Sequence, residues 1–103
     1  MVQPLSEEYR LAAKEWQRLD AAASLMEENK GAVLSQRMNE LGDMPVSRAE
    51  LTVKASKEWA AYISEMCRMR SEANLAKVKI EWVRMRFQEQ MSKEANKRAE
   101  MKL

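Results

Sequence analysis

The sequence predicts an all-α chain, an antiparallel, coiled-coil-like helical hairpin with a longer second helix, and three observations carry that prediction. Only two glycines and two prolines occur among 103 residues, while 46% of the chain is apolar and 33% charged, so Ala, Glu, Lys, Arg and Met fill positions where strand formers would otherwise appear. Apolar residues alternate by threes and fours over most of the length, which is the spacing of a helix seam. One stretch alone punctuates the chain strongly, Gly42-Asp43-Met44-Pro45-Val46-Ser47, where a glycine suits a helix C-terminus and a proline follows it. A single helical-hairpin domain over residues 1–103 is the expectation.

Helix one is expected from about residue 6 to 41. Pro4, Ser6 and the acidic pair Glu7 and Glu8 mark its start, since carboxylates favour the positive end of a helix dipole. Its seam runs through Leu5, Tyr9, Ala12, Trp16, Leu19, Ala23 and Met26, then weakens at Lys30, Val33 and Arg37. A second stripe of Leu34, Met38 and Leu41 takes over, and Gly31 at the changeover suggests a bend or a tight crossing. The turn is placed at about residues 42 to 47. Ser47 and Glu50 then read as a capping box opening helix two, from about 48 to near 100. Thr52, Ala55, Trp59, Tyr62, Met66, Met69, Ala73, Ala76, Ile80, Val83 and Phe87 give that helix a seam sustained for about five heptads. Lys-Glu-Trp recurs at Trp16 and Trp59, which reads as two similar packing layers rather than an internal repeat.

At about 1.5 Å rise per residue the two helices span roughly 54 and 80 Å, so the chain should be a rod. A compact chain of this length has a radius of gyration near ~13 Å. Folding back at a tight turn pairs residues whose numbers sum to about 90. Trp16 then faces Ala73, Trp59 faces Gly31 and Ala32, and Tyr9 lies near Trp82, so bulky residues meet small ones. Helix one is exhausted opposite residue 84 or so, and Gln88–Leu103, with Gln90, Glu94 and Lys97 at its seam positions, projects beyond it.

Between Leu75 and Phe87 the segment LAKVKIEWVRMRF carries two apolar stripes on opposite sides of one helix. Ala76, Ile80, Val83 and Phe87 belong to the hairpin seam; Leu75, Val78, Trp82 and Met85 face away from it. A helix apolar on two faces needs two covers, and a two-helix chain supplies one. The outward stripe is therefore the expected contact for a second subunit, in a dimeric or higher helical bundle, or for a partner protein. Nine methionines, among them Met26, Met38, Met66, Met69 and Met85 on or beside the stripes, suit adaptable packing.

Composition argues against an enzyme. With no histidine the commonest general base and zinc ligand are absent. Glu58, Glu65 and Glu72 recur every seven residues, about 10 Å apart along the helix, too far to share one ion, and read as a charged edge beside the seam. Cys67, the single cysteine, lies beside Arg68 on a helix surface without a base and reads as incidental. No glycine-rich loop exists to cradle a phosphate. Neither cofactor nor metal is expected. No apolar run approaches the ~20 residues of a membrane span, and MVQPLSEEYR lacks the basic start and apolar centre of a signal peptide, so a cytoplasmic protein is expected.

Nucleic-acid binding is the alternative. Residues 1–46 carry five basic and eight acidic side chains, net −3, and residues 47–103 carry thirteen and eight, net +5. Arg68, Arg70, Lys77, Lys79, Arg84 and Arg86 concentrate positive charge in helix two, where phosphates could be neutralised and Trp82 could stack on a base. On the helical wheel, however, these residues divide between the two edges of the seam, as charges that select a helical partner do. Glu7, Glu8 and Glu15 of helix one are the expected counterparts. Finally, EANLAKVKIEWVRMRFQEQMSKEANKRAEMKL, the last third of the chain, resembles small helical proteins of uncharacterised role encoded by tailed bacteriophages and prophages. The resemblance implies an accessory protein that acts by binding recombination machinery or a host factor, and it identifies no site.

Overall fold

Pro4 sets an extended entry (φ −57°, ψ 146°) into α1 (Leu5–Glu28), and its carbonyl accepts the Glu8 N–H at 3.0 Å. The computed structural model describes residues 4–101, and all the regular structure among them is helical. After α1 come α2 (Lys30–Glu40), α3 (Val46–Lys54) and α4 (Lys57–Met101). The α1–α2 arm folds back on the α3–α4 arm, with α1 against α4 and α2 against α3. Direction follows from the cross-arm bonds: Glu8 meets Arg86, Asp20 meets Arg70 and the Met26 carbonyl accepts the Tyr62 hydroxyl, so the arms are antiparallel. Pair sums of 88 to 94 in these contacts agree with the tight-turn register. The result is a rod of 83 × 23 × 18 Å with a radius of gyration of 23.2 Å.

Both arms are interrupted where continuous helices were expected. In the first arm the interruption falls at Asn29, two residues before Gly31, and α1 and α2 remain nearly in line because Asn29 keeps helical dihedrals and bonds to Leu25 and Val33. Gly31 makes no tight crossing: a Cβ there would meet nothing within 4 Å, which also removes the expected seat for Trp59. Trp59 instead stacks on Tyr62 of its own helix, ring centroids 5.6 Å apart and planes inclined by 15°.

The turn is shorter than the sequence reading, running from Leu41 to Pro45. Gly42 alone takes a left-handed conformation (φ 82°), and its N–H bonds to the Asn39 carbonyl. The Ser47–Glu50 capping box does not form. Pro45, its φ already near the helical value at −55°, is the residue from which α3 springs, so Ser47 lies inside the first turn and cannot cap it. Glu50 reaches forward to Lys54 at 2.8 Å instead.

The second arm breaks at Ala55–Ser56, and here the sequence does supply a cap. Ser56 Oγ accepts the Trp59 N–H at 3.2 Å and donates to the Val53 carbonyl at 2.6 Å, starting α4. The Ser56 N–H also bonds three residues back to Val53, a tightened turn that moves the seam by one position. Ala49 and Val53 are consequently buried in α3, while Thr52 and Ala55, assigned to the seam from their spacing, are exposed. From Trp59 onward the expected seam holds. Trp59, Ala73, Ile80 and Val83 are buried and Tyr62, Met66, Met69 and Ala76 partly so, facing buried Ala12 and Ala23 and half-buried Leu5, Tyr9, Trp16, Leu19 and Met26 of α1. Phe87 ends it, 46% exposed beside Leu5 and Tyr9. Everything from Phe87 to Met101 is exposed, so α4 does overhang its partner.

Candidate functional site

Two surfaces of α4 matter: its outer face and its charged edges. Because α1 covers the face carrying Ile80 and Val83, helical geometry turns residues 75, 78, 82 and 85 the other way. Leu75 is 69% exposed, Val78 61%, Trp82 54% and Met85 58%. These four large apolar side chains fill three consecutive turns without interruption, so the structure brings together the whole outward stripe named from the sequence. Trp82 is held rather than loose, since the Arg86 guanidinium lies 4.7 Å from its ring centroid. Further along the outer face toward Lys57 the side chains become small, with Ala60, Ser64, Cys67 and Ser71 all exposed.

Three of the six basic residues singled out in α4 have found carboxylate partners within the chain. Arg68 pairs with both Glu65 and Glu72, one turn to either side. Arg70 is the best-anchored: it bonds to Asp20 at 2.6 Å, to Glu27 at 2.7 Å and to the Ser24 hydroxyl at 3.1 Å, clamping α4 to α1. Arg86 pairs with Glu8 at 3.0 Å, and Arg84 donates to the Tyr9 hydroxyl at 3.4 Å. Lys77 and Lys79 form no ion pair among the described residues. A shallow groove lined by Glu8, Glu15, Lys79 and Arg86 follows the α1–α4 edge.

Of the three acidic partners expected in helix one, Glu8 alone crosses to α4. Glu7 and Glu15 close onto Arg10 and Arg18 of their own helix, three residues on, because those pairs need no contact between arms. The pairing of Arg70 with Asp20 and Glu27 escaped the sequence reading, although 70 and 20 sum to 90 and the same register would have found it. Hydrogen bonding from Arg70, then its positive charge, holds the Glu27 carboxyl below the usual carboxylate value. A carboxyl depressed in the folded state stabilises the fold fully above its ordinary pKa of 4.5 and loses that contribution as pH falls through the lower folded value. Arg70→Met should therefore lower the melting temperature at neutral pH and low salt, with the gap to wild type shrinking as pH drops below 4.5. A gap that stays constant on acidification would assign the loss to packing alone.

Glu65 and Glu72 of the seven-residue ladder turn toward Arg68, and among the described residues no His, Cys, Asp or Glu cluster could hold a metal ion. Cys67 is free and exposed. No helix among the described residues is long and apolar enough to cross a membrane. Sequence reasoning missed a second exposed apolar group at the rod's tip, Val46 at 73% and Leu51 at 71%, because the break at Ser56 decides which way α3 faces. No protein-family model, no curated protein and no solved structure matches the chain.

Proposed function

We propose that this protein is a non-enzymatic association module, working in the cytoplasm, that binds other protein through the outer face of α4 and assembles into a dimer or a larger helical bundle. One observation carries the reading: Leu75, Val78, Trp82 and Met85 stand more than half exposed in an unbroken stripe, on a helix whose opposite face is already filled. A rod 18 to 23 Å across has little interior in which to hide such a stripe, and covering it removes apolar surface from water. A central tryptophan among aliphatic neighbours is also the composition of an interface hot spot. The resemblance of residues 72–103 to small phage-encoded helical proteins accords with an accessory role exercised by binding.

The nucleic-acid reading is weaker, because Arg68, Arg70 and Arg86 are already neutralised by carboxylates of the same chain and would release fewer counterions on meeting phosphates. The test is molar mass in solution. Wild-type protein should exceed the mass of one chain at low and high salt, with or without a mixed-sequence oligonucleotide, and the Val78→Glu/Trp82→Glu variant should fall to one chain while staying helical. Assembly that ignores both glutamates would remove the reading.

A further inference from the structure

We infer that the cover of this outer face is a second copy of the same chain, lying antiparallel along α4 and related to the first by a twofold axis near residues 75 and 76. The inference rests on the association reading above and names its partner, orientation and register.

Two gradients run along α4, and both reverse at the same point. The first is size. Outer-face residues before Leu75 are Ala60, Ser64, Cys67 and Ser71, all small; from Leu75 on they are large. An antiparallel copy places each large half over the other's small half, with Trp82 and Met85 coming down near Cys67 and Ser64 of the partner subunit. Close packing asks for that alternation, and a self-complementary patch is what a twofold dimer requires. A parallel copy would set Trp82 on Trp82 and leave the small half gaping.

The second gradient is charge. A column at seven-residue spacing reads Glu58, Glu65, Glu72, Lys79, Arg86, Lys93: three acids followed by three bases. It flanks the outer face on one side, the position from which charges choose a helical partner and its direction. Reversed about residues 75 and 76, the column becomes its own complement. Glu72 meets Lys79 of the partner subunit, Glu65 meets Arg86 and Glu58 meets Lys93, each number pair summing to 151. A parallel twofold arrangement would put the two columns on opposite edges of the interface, where neither meets the other and the complementarity goes unused. Glu65, Glu72 and Arg86 already share one intrachain partner each, yet remain partly exposed and able to accept a second. Glu58 and Lys93 form no ion pair among the described residues.

The overhang gains a purpose in this register. Residues 57–94 of each α4 overlap for about 57 Å, so the exposed stretch from 88 to 94 lies along the start of α4 in the partner subunit. That start is fixed by the Ser56 cap.

The experiment uses the pair least entangled with folding. Sedimentation equilibrium at low salt compares wild type with Lys93→Glu, Glu58→Lys and the double variant. Each single change should raise the dimer dissociation constant about tenfold, since two symmetry-related attractions become repulsions. The double variant should return to within a few-fold of wild type. Rescue failing would overturn the register. Orientation is read with a short bismaleimide on the native Cys67: antiparallel chains hold the two thiols about 26 Å apart, beyond its span, whereas parallel chains bring them together. Rapid cross-linking within a dimer that still needs Trp82 and Val78 would sink the antiparallel inference and leave the association reading standing. A dimer indifferent to those two residues would sink the association reading itself. A wild-type monomer, whether or not it takes up the oligonucleotide, would exclude the second copy.

Discussion

Trp59→Ala should be the most damaging single truncation in the chain, costing about 3–5 kcal/mol. Trp59 is 8% exposed and sits in the first turn of α4, where it serves two structures at once. Its ring fills the seam and stacks on Tyr62, whose hydroxyl reaches across to the Met26 carbonyl at 2.6 Å in the last turn of α1. Its N–H receives the Ser56 cap. Alanine keeps that N–H and the cap, but it leaves a large void at the level where both arms change phase, beside Ser56 in one and Asn29 in the other. Elongated two-arm folds have few alternative contacts with which to collapse a void. Domain stabilities run only to about 5–15 kcal/mol, so a substantial unfolded fraction is expected at moderate temperature. Thermal or urea unfolding followed by circular dichroism measures this, with Trp82→Ala as the comparison. That residue is 54% exposed and should barely move the unfolding of an unassociated chain. Equal losses in the two variants, measured at dilutions where every protein is a single chain, would mean that Trp59 contributes no more to the core than a surface residue.

The two tryptophans also mark what spacing along the chain can and cannot reveal. Where a seam runs without interruption, from Leu5 to Met26 and from Trp59 to Val83, counting threes and fours identifies the buried residues and, by elimination, the outward stripe from Leu75 to Met85. Antiparallel register follows from the shortness of the turn, and it carries enough information to pair Arg70 with Asp20. Spacing fails where a backbone hydrogen bond resets the phase. Ser56 is an unobtrusive serine in a polar stretch; once its hydroxyl caps α4, the preceding turn tightens and Ala49 and Val53 replace Thr52 and Ala55 in the interior. Ser47 offered the stronger cap pattern and lost because Pro45 starts the helix two residues earlier. Side-chain partners are legible only in part, since Glu7 and Glu15 each had a nearer arginine on their own helix than any across the hairpin.

Ala23→Leu tests the other limit of the same packing, excess volume instead of a void. Ala23 and Ala73 are both fully buried, on facing helices at the level of the Arg70 clamp, and the arms approach closely there because neither side chain extends past a methyl. Three further carbons have no cavity to enter. Either the leucine adopts a strained rotamer or the arms separate locally, at a cost of about 1–3 kcal/mol. Separation carries a second penalty, because Arg70 must span from α4 to Asp20 and Glu27, and a wider gap loosens the bonds that hold the Glu27 carboxyl below its usual value. Ala23→Leu should therefore lower the melting temperature and also raise the Glu27 pKa toward its ordinary value, read by the carbon chemical shift of its carboxyl across an acid titration. Ala21→Leu, two residues away and exposed, adds the same carbons on the solvent side and should change neither. Lost stability with an unmoved Glu27 titration would show that the core absorbs the leucine by rotamer strain and that the clamp and the alanine layer are mechanically independent.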